Sequence, residues 1–263
     1  MEGGPQAQIK PAAGNVGSAR KPVLINKLEG CPDEINQAVI IPREDGVISV
    51  CDDRTVRVWL KRDTGQYWPS ICHSMPVAPT SLDYNSESRR LFIGLDSGTI
   101  NEFTLSEDFN KISHTRTYLA HQSRVTSIFF ALHCEWMMST SRDKYFQWHC
   151  SETGRRLGGY QTSAWCTCCQ FDIQSRYAFV GDYSGQISVI KISDTNFEII
   201  TTLKGHSVIK SSPYYTVPHR SSWCLLVTIV CWYSGPWMSR DRRPQNGRTA
   251  TIVRNVGLHS SGI

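Results

Sequence analysis

Residues 139–150 read "STSRDKYFQWHC": small residues, a charged turn, then an alternating apolar stretch. Three other segments align with it, "SVCDDRTVRVWL" at 49–60, "FIGLDSGTINEF" at 92–103 and "FVGDYSGQISVI" at 179–190. With Asp53, Ser97, Asp143 and Ser184 set as equivalent, the spacings are 44, 46 and 41 residues. Three positions past each anchor stands an apolar residue: Val56, Ile100, Phe146 and Ile187. Two further on come Val58, Glu102, Trp148 and Val189. Alternation of period two over so short a span marks a half-buried strand. Glu102 alone breaks the pattern.

A second turn recurs behind the first. Gly65, Gly154 and Asn196 lie eleven or twelve residues past their anchors, and Asn110 lies thirteen past its own. Gly and Asn tolerate the positive φ of a tight hairpin. Each unit therefore supplies an inner strand pair, a turn, a third strand, a hairpin and a fourth strand. Four strands repeating every forty-odd residues describe the blade of a β-propeller. An antiparallel sandwich also yields short strands and turns, but it imposes no fixed period.

In WD40-type blades a His before the first strand donates to an Asp in the later turn, which ties the blade's outer end. His121 and Asp143 stand 22 residues apart and fit that tie, and "DRTVRVW" supplies Asp53 with Trp59. The first unit has Cys31 at the His position and the fourth has Thr162. The phrase "RTYLAH" ending at His121 returns as "TTLKGH" ending at His206, yet no turn and strand follow the second copy. The fold expected is all-β, a WD40-type propeller of about four blades and the start of a fifth, over residues 21–206.

The charge is unevenly placed. The chain of 263 residues carries a net +5, but residues 207–263 take seven of its 28 basic residues and one of its 23 acids. The first 206 residues are close to neutral, so the body shows no nucleic-acid footprint. Residues 1–20, rich in Gly, Ala and Pro without an apolar core segment, read as a disordered arm rather than a signal peptide. Residues 207–263 hold three of the eight tryptophans and read as a divergent, poorly structured basic tail. Its longest apolar run, Trp223 to Tyr233, is about half a bilayer crossing. Ten cysteines without an export signal point to reduced thiols in a cytosolic protein.

The wording of "EDGVISVCDDRTVRVWLKRDTGQYWPSI", "SEDFNK", "AHQSRVT", "YAFVGDYSGQI" and "TTLKGH" resembles the WD repeat and FYVE domain-containing proteins, from about Lys21 to His206. The resemblance implies a non-enzymatic early-endosome scaffold built on a seven-bladed propeller. It also implies partners among kinases and signalling adaptors, and a zinc-binding FYVE module that holds phosphatidylinositol 3-phosphate. This sequence has neither the paired C-x-x-C motifs nor the R-x-H-H-C-R-type run of such a module. Zinc and direct phosphoinositide binding are thus expected only of full-length family members, and this chain is expected to be cytosolic without a cofactor. An alternative exon or a shifted reading frame would account for the departure after Gly205-His206.

Other chemistry competes with this reading. "AWCTCCQF" contains a formal C-x-x-C at Cys166 and Cys169, which leaves a redox or zinc-binding alternative open. In a plain strand Cys166 and Cys168 would share one face and Cys169 the other. No G-x-S-x-G elbow, Walker loop or G-x-G-x-x-G occurs, and no catalytic residue is named. Lys61, Arg62, Arg155 and Arg156 read as solvated charges able to meet an acidic partner. The Trp- and Arg-containing tail leaves peripheral membrane binding open as a third reading. Blades without neighbours on both sides would expose apolar faces on the first and fourth units.

Overall fold

The structure, a computed structural model, describes residues 24–172, 176–193, 196–204 and 250–253. The expected N-terminal arm, His206 and most of the 207–263 tail lie outside the described residues. Strand β1 (Leu24–Leu28) precedes four sheets of four strands each. Blade 1 contains β2 (Ile35–Ile41), β3 (Gly46–Cys51), β4 (Thr55–Lys61) and β5 (Tyr67–Ser74). Blade 2 contains β6 (Pro79–Asn85), β7 (Arg90–Leu95), β8 (Ile100–Leu105) and β9 (Ile112–Tyr118). Blade 3 contains β10 (Val125–Ala131), β11 (Trp136–Ser141), β12 (Tyr145–Cys150) and β13 (Arg156–Gln161). Blade 4 contains β14 (Cys166–Phe171), β15 (Tyr177–Asp182), β16 (Gln186–Ile192) and β17 (Phe197–Lys204).

Within each sheet the strands lie in chain order and pair antiparallel, the meander that the four aligned segments predict. The residue after each anchor carries the positive φ that turns the second strand into the third: Arg54, Gly98, Lys144 and Gly185. The later hairpins turn on Gly65 and Gly154, as expected. Blade 2 differs from the expectation, because Phe109 rather than Asn110 takes the left-handed position at φ 52. Its ring is buried in the core between blades 1 and 2, which holds the backbone there, while Asn110 caps the loop through Ser106 and Asp108.

Each seam between neighbouring blades is a hydrophobic layer. Val39, Ile48, Val56 and Val58 of blade 1 meet Leu82, Leu91, Ile93 and Phe103 of blade 2. Phe92 and Ile100 of blade 2 meet Ile128, Phe130 and Met137 of blade 3. Met138, Phe146 and Trp148 of blade 3 meet Cys166, Val180 and Ile190 of blade 4. The Trp148 ring fits only because Gly158 opposite it lacks a side chain; a Cβ there would come within 2.2 Å of the ring.

Two irregularities repeat in every blade. The pairing of first and second strands shifts after Ile35, Pro79, Val125 and Cys166. The pairing of third and fourth strands shifts after Val58, Glu102, Trp148 and Val189. Each shift is a bulge that adds local twist.

The exposed large hydrophobics within the blades cluster on the first and fourth. They are Ile40 and Trp68 in blade 1, and Trp165, Tyr183, Phe197, Ile199, Ile200 and Leu203 in blade 4, with Leu119 between β9 and β10 as the exception. The chain's two ends form a separate unit, in which β1 pairs antiparallel with β18 (Ala250–Val253), from Leu24 opposite Val253 to Leu28 opposite Ala250. The β-branched Thr251, Ile252 and Val253 suit this extended backbone.

Candidate interaction surface

The outer ends of the four blades are tied by four different chemistries. In blade 3, His121 Nδ1 donates to Asp143 Oδ2 at 3.0 Å, and Nε2 lies 2.9 Å from the Ser139 hydroxyl. The Gln122 backbone N–H donates to the same carboxylate oxygen. Burial alone would raise the Asp143 carboxyl, but the bond and charge of His121 and two backbone N–H groups outweigh it and hold the carboxyl below its usual range. The tie is a buried, charge-assisted bond with its remaining polar atoms engaged.

Blade 1 reaches the same closure by another route. Asp53 accepts from the Thr55 backbone and hydroxyl and forms a 2.7 Å ion pair with Arg57. Arg57 in turn donates to Cys31 Sγ at 3.0 Å. Arg57 thus spans the gap that His121 closes directly in blade 3. Trp59 donates to Ser49 at 2.9 Å, so Asp53 and Trp59 act on separate partners rather than on each other. In blade 4, Thr162 donates to backbone carbonyls, while Ser163 donates to Asp182 at 2.8 Å and makes the link. Blade 2 has Met75 and Ile93 at the places of His121 and Ser139, both buried in one apolar cluster, and Ser97 at the place of Asp143.

Glu102, the break in the sequence pattern, is 1% exposed and belongs to a buried network at the seam of blades 2 and 3. Arg90 pairs with it at 2.7 Å and also with Glu135, while the Tyr118 hydroxyl donates to its other oxygen at 2.7 Å. Ser151 donates to Glu135 from the far side. Arg90 also lies over the Phe130 ring, 4.6 Å from its centre. Glu135 is placed there by a 3-10 turn (Leu132–Cys134) and its own left-handed backbone, φ 54.

Side chains also stitch the innermost strands across the seams. The Gln37 carboxamide donates to Leu82 O at 3.0 Å and accepts from Leu82 N at 2.9 Å, a two-point grip on one peptide unit. Thr80 donates to Val125 O, and Asp83 accepts from Phe130 N.

The cysteine cluster lies on β14, and the strand is not plain. The bulge between Cys166 and Cys168 inserts one residue, so Cys166 and Cys169 both pack into the blade 3–4 core, against the expectation of opposite faces. Burial pushes both thiols up to about 12, so neither carries a thiolate at neutral pH. All eight described cysteines are free, and no group of three metal-ligating side chains occurs among the described residues.

The four candidate surface cations fall on two separated hairpins. Lys61 pairs with Asp45 at 3.3 Å, and Arg62 sits over the Trp68 ring at 4.8 Å. Arg155 precedes β13 and Arg156 begins it, two blades away, and neither forms an ion pair among the described residues. The two pairs do not make one patch.

Comparison with known proteins matches the "WD domain, G-beta repeat" family model to residues 22–59 and 112–147. The second match starts in β9 and ends in β12, so one repeat supplies the outer strand of one blade and three strands of the next. Four such sheets with these matches define a WD-repeat β-propeller protein. The chain is 56% identical over 188 residues to human WD repeat and FYVE domain-containing protein 2, covering 72% of this chain and 47% of that one. It is 52% identical over 186 residues to WD repeat and FYVE domain-containing protein 1 of Bos taurus, covering 71% and 45%. To protein 2 of Caenorhabditis elegans it is 38% identical over 200 residues, covering 76% and 48%. Over this aligned part the chain is similar to the WD repeat and FYVE domain-containing proteins. It spans about half the length of the curated relatives it matches. No helix among the described residues is long and apolar enough to cross a membrane.

Proposed function

We propose that the protein is a non-catalytic WD-repeat scaffold whose blades present surfaces to protein partners. The observation that carries this reading is the use made of its reactive side chains. His121, Asp143, Asp53, Glu102 and Asp182 are spent on ties within or between blades, and the Cys166 and Cys169 thiols are buried and protonated. Large apolar side chains stay exposed, mostly on the first and fourth blades, as binding surfaces require.

Its partners are signalling proteins of the kinase or adaptor kind, met in the cytosol, and the blades work without a cofactor. Endosomal attachment through phosphatidylinositol 3-phosphate is a property of a FYVE module and not of these blades. Two measurements on the full chain test this. Titration of purified candidate kinases and adaptors by calorimetry is expected to give saturable binding, and sedimentation with phosphatidylinositol 3-phosphate vesicles is expected to leave the protein in the supernatant. An absence of saturable binding, or a turnover abolished by changing one described side chain, would overturn the reading.

A further inference from the structure

Between the β9–β10 connection and the outer half of blade 3 lies a groove of about 510 Å³. It is lined by Leu119, His121 and Gln122 of that connection, by Tyr145 and Gln147 of β12 and by Arg156 of β13. Three features of this groove point outward. Gln147 is 6% exposed, yet its carboxamide forms no hydrogen bond within the described residues. Its polar atoms are not sealed from solvent, so they stay available to an occupant of the groove. Arg156 lies over the backbone of Gly159, where an added Cβ would meet its Nη2 at 2.5 Å, and no carboxylate neutralises it among the described residues. Leu119 is 88% exposed at the rim, although its neighbours Tyr118 and Ala120 are buried.

The chemistry of an occupant follows from these groups. A carboxamide offers one donor and one acceptor edge, which match a peptide unit, and Gln37 already grips Leu82 in that way at the seam of blades 1 and 2. A guanidinium without a partner calls for a carboxylate. A solvated leucine beside them calls for an apolar side chain. The volume accommodates a few residues of extended chain rather than a folded domain.

We propose that this groove binds an extended segment of a partner protein, with Gln147 holding a backbone amide, Arg156 an Asp or Glu side chain, and Leu119 a neighbouring apolar side chain. The proposal rests on the interaction-scaffold reading and gives it an address. Tyr145 and the His121–Asp143 tie act as fixed walls, because Tyr145 is held by Gln161 and its own backbone N–H by Asp143.

The test is selection from a random-peptide phage library on the full chain, followed by fluorescence anisotropy with the enriched peptides made synthetically. Enriched sequences are expected to place an acidic residue beside an apolar one. Their affinity should fall about tenfold or more with Arg156→Glu, the loss of one charge-assisted contact, and fall also with Gln147→Leu. Arg155→Glu makes the same change of net charge on a residue that does not line the groove, and should have little effect. Thermal unfolding of each variant separates lost binding from lost fold, and Gln147→Leu is expected to keep the fold since it breaks no side-chain bond within the blades. Peptides without acidic residues, or peptides bound equally by Arg156→Glu, would overturn the groove while leaving the scaffold reading in place. A library yielding no binder would overturn it as well.

Discussion

Blades 2 and 3 pack against each other yet close their outer ends by opposite means. Blade 3 uses His121, Ser139 and Asp143 in a buried hydrogen-bonded chain, whereas blade 2 puts Met75 and Ile93 at the places of His121 and Ser139. The requirement shared by both is geometric: the gap between the connection entering the first strand and the turn after the second must be filled. Dispersion meets it in one blade and charge-assisted bonding in the other. The family model matches segments ending at Trp59 and Gln147, in blades 1 and 3, and leaves the third strands of blades 2 and 4 unmatched, although blade 4 also closes through a polar bond. A signature made of residue identities finds the two blades whose anchor is an aspartate, Asp53 and Asp143, and passes over those anchored on Ser97 and Ser184.

The comparison is broken most severely at the seam where the two blades meet. Arg90→Met leaves Glu102 and Glu135 without their cation, and a loss of about 3–5 kcal/mol is expected from urea unfolding, typical of uncompensated buried charge. A loss below about 1 kcal/mol would show that the network holds nothing together.

Acid comes next, and mild acid acts on blade 3 through His149. His149 has its pKa lowered to about 4 by burial, with repulsion from His121 and Arg156 adding to it, and the Tyr118 ring closes its other side. The unfolded chain takes up the proton near 6.5, so stability is full above that value and is lost as pH falls from 6.5 towards 4. The full shift corresponds to about 3 kcal/mol. His149→Phe should flatten this part of the stability–pH curve, and an unchanged slope would assign it to other groups.

The tie itself is worth less. His121→Phe and Asp143→Asn should each cost about 2 kcal/mol, with a double-mutant coupling of similar size, since each removes a hydrogen bond to a charged group. Met75→Leu in blade 2 should cost less than about 1.5 kcal/mol, as a volume-conserving change does. The smallest effect is expected in blade 4, where Ser163→Ala removes a single hydroxyl donor to Asp182 and should cost about 1 kcal/mol by thermal unfolding.

The period, the blade boundaries and the approach of His121 to Asp143 are legible because they repeat at fixed spacing. The role of Glu102 is not, since its partner Glu135–Arg90 pair is set by the next blade's turn, far along the chain. Arg57 as a bridge to Cys31, and Ser163 in place of Thr162, are equally hidden: each substitutes a side chain of different reach, so spacing gives no cue. The facing of Cys169 fails for a further reason. A bulge recurs at the same place in each first strand without any residue type common to Ile35, Pro79, Val125 and Cys166, so alternation counted through it comes out inverted.

The Arg90 network also bears on how the chain assembles. Four sheets of similar size and greasiness could stack in the wrong sequence during folding at little cost to oily contact alone. A mismatched neighbour set against blade 2 would leave the Arg90–Glu102 pair intact but forfeit the contact of Arg90 with Glu135, so the native order holds an ionic bond that a shuffled one lacks.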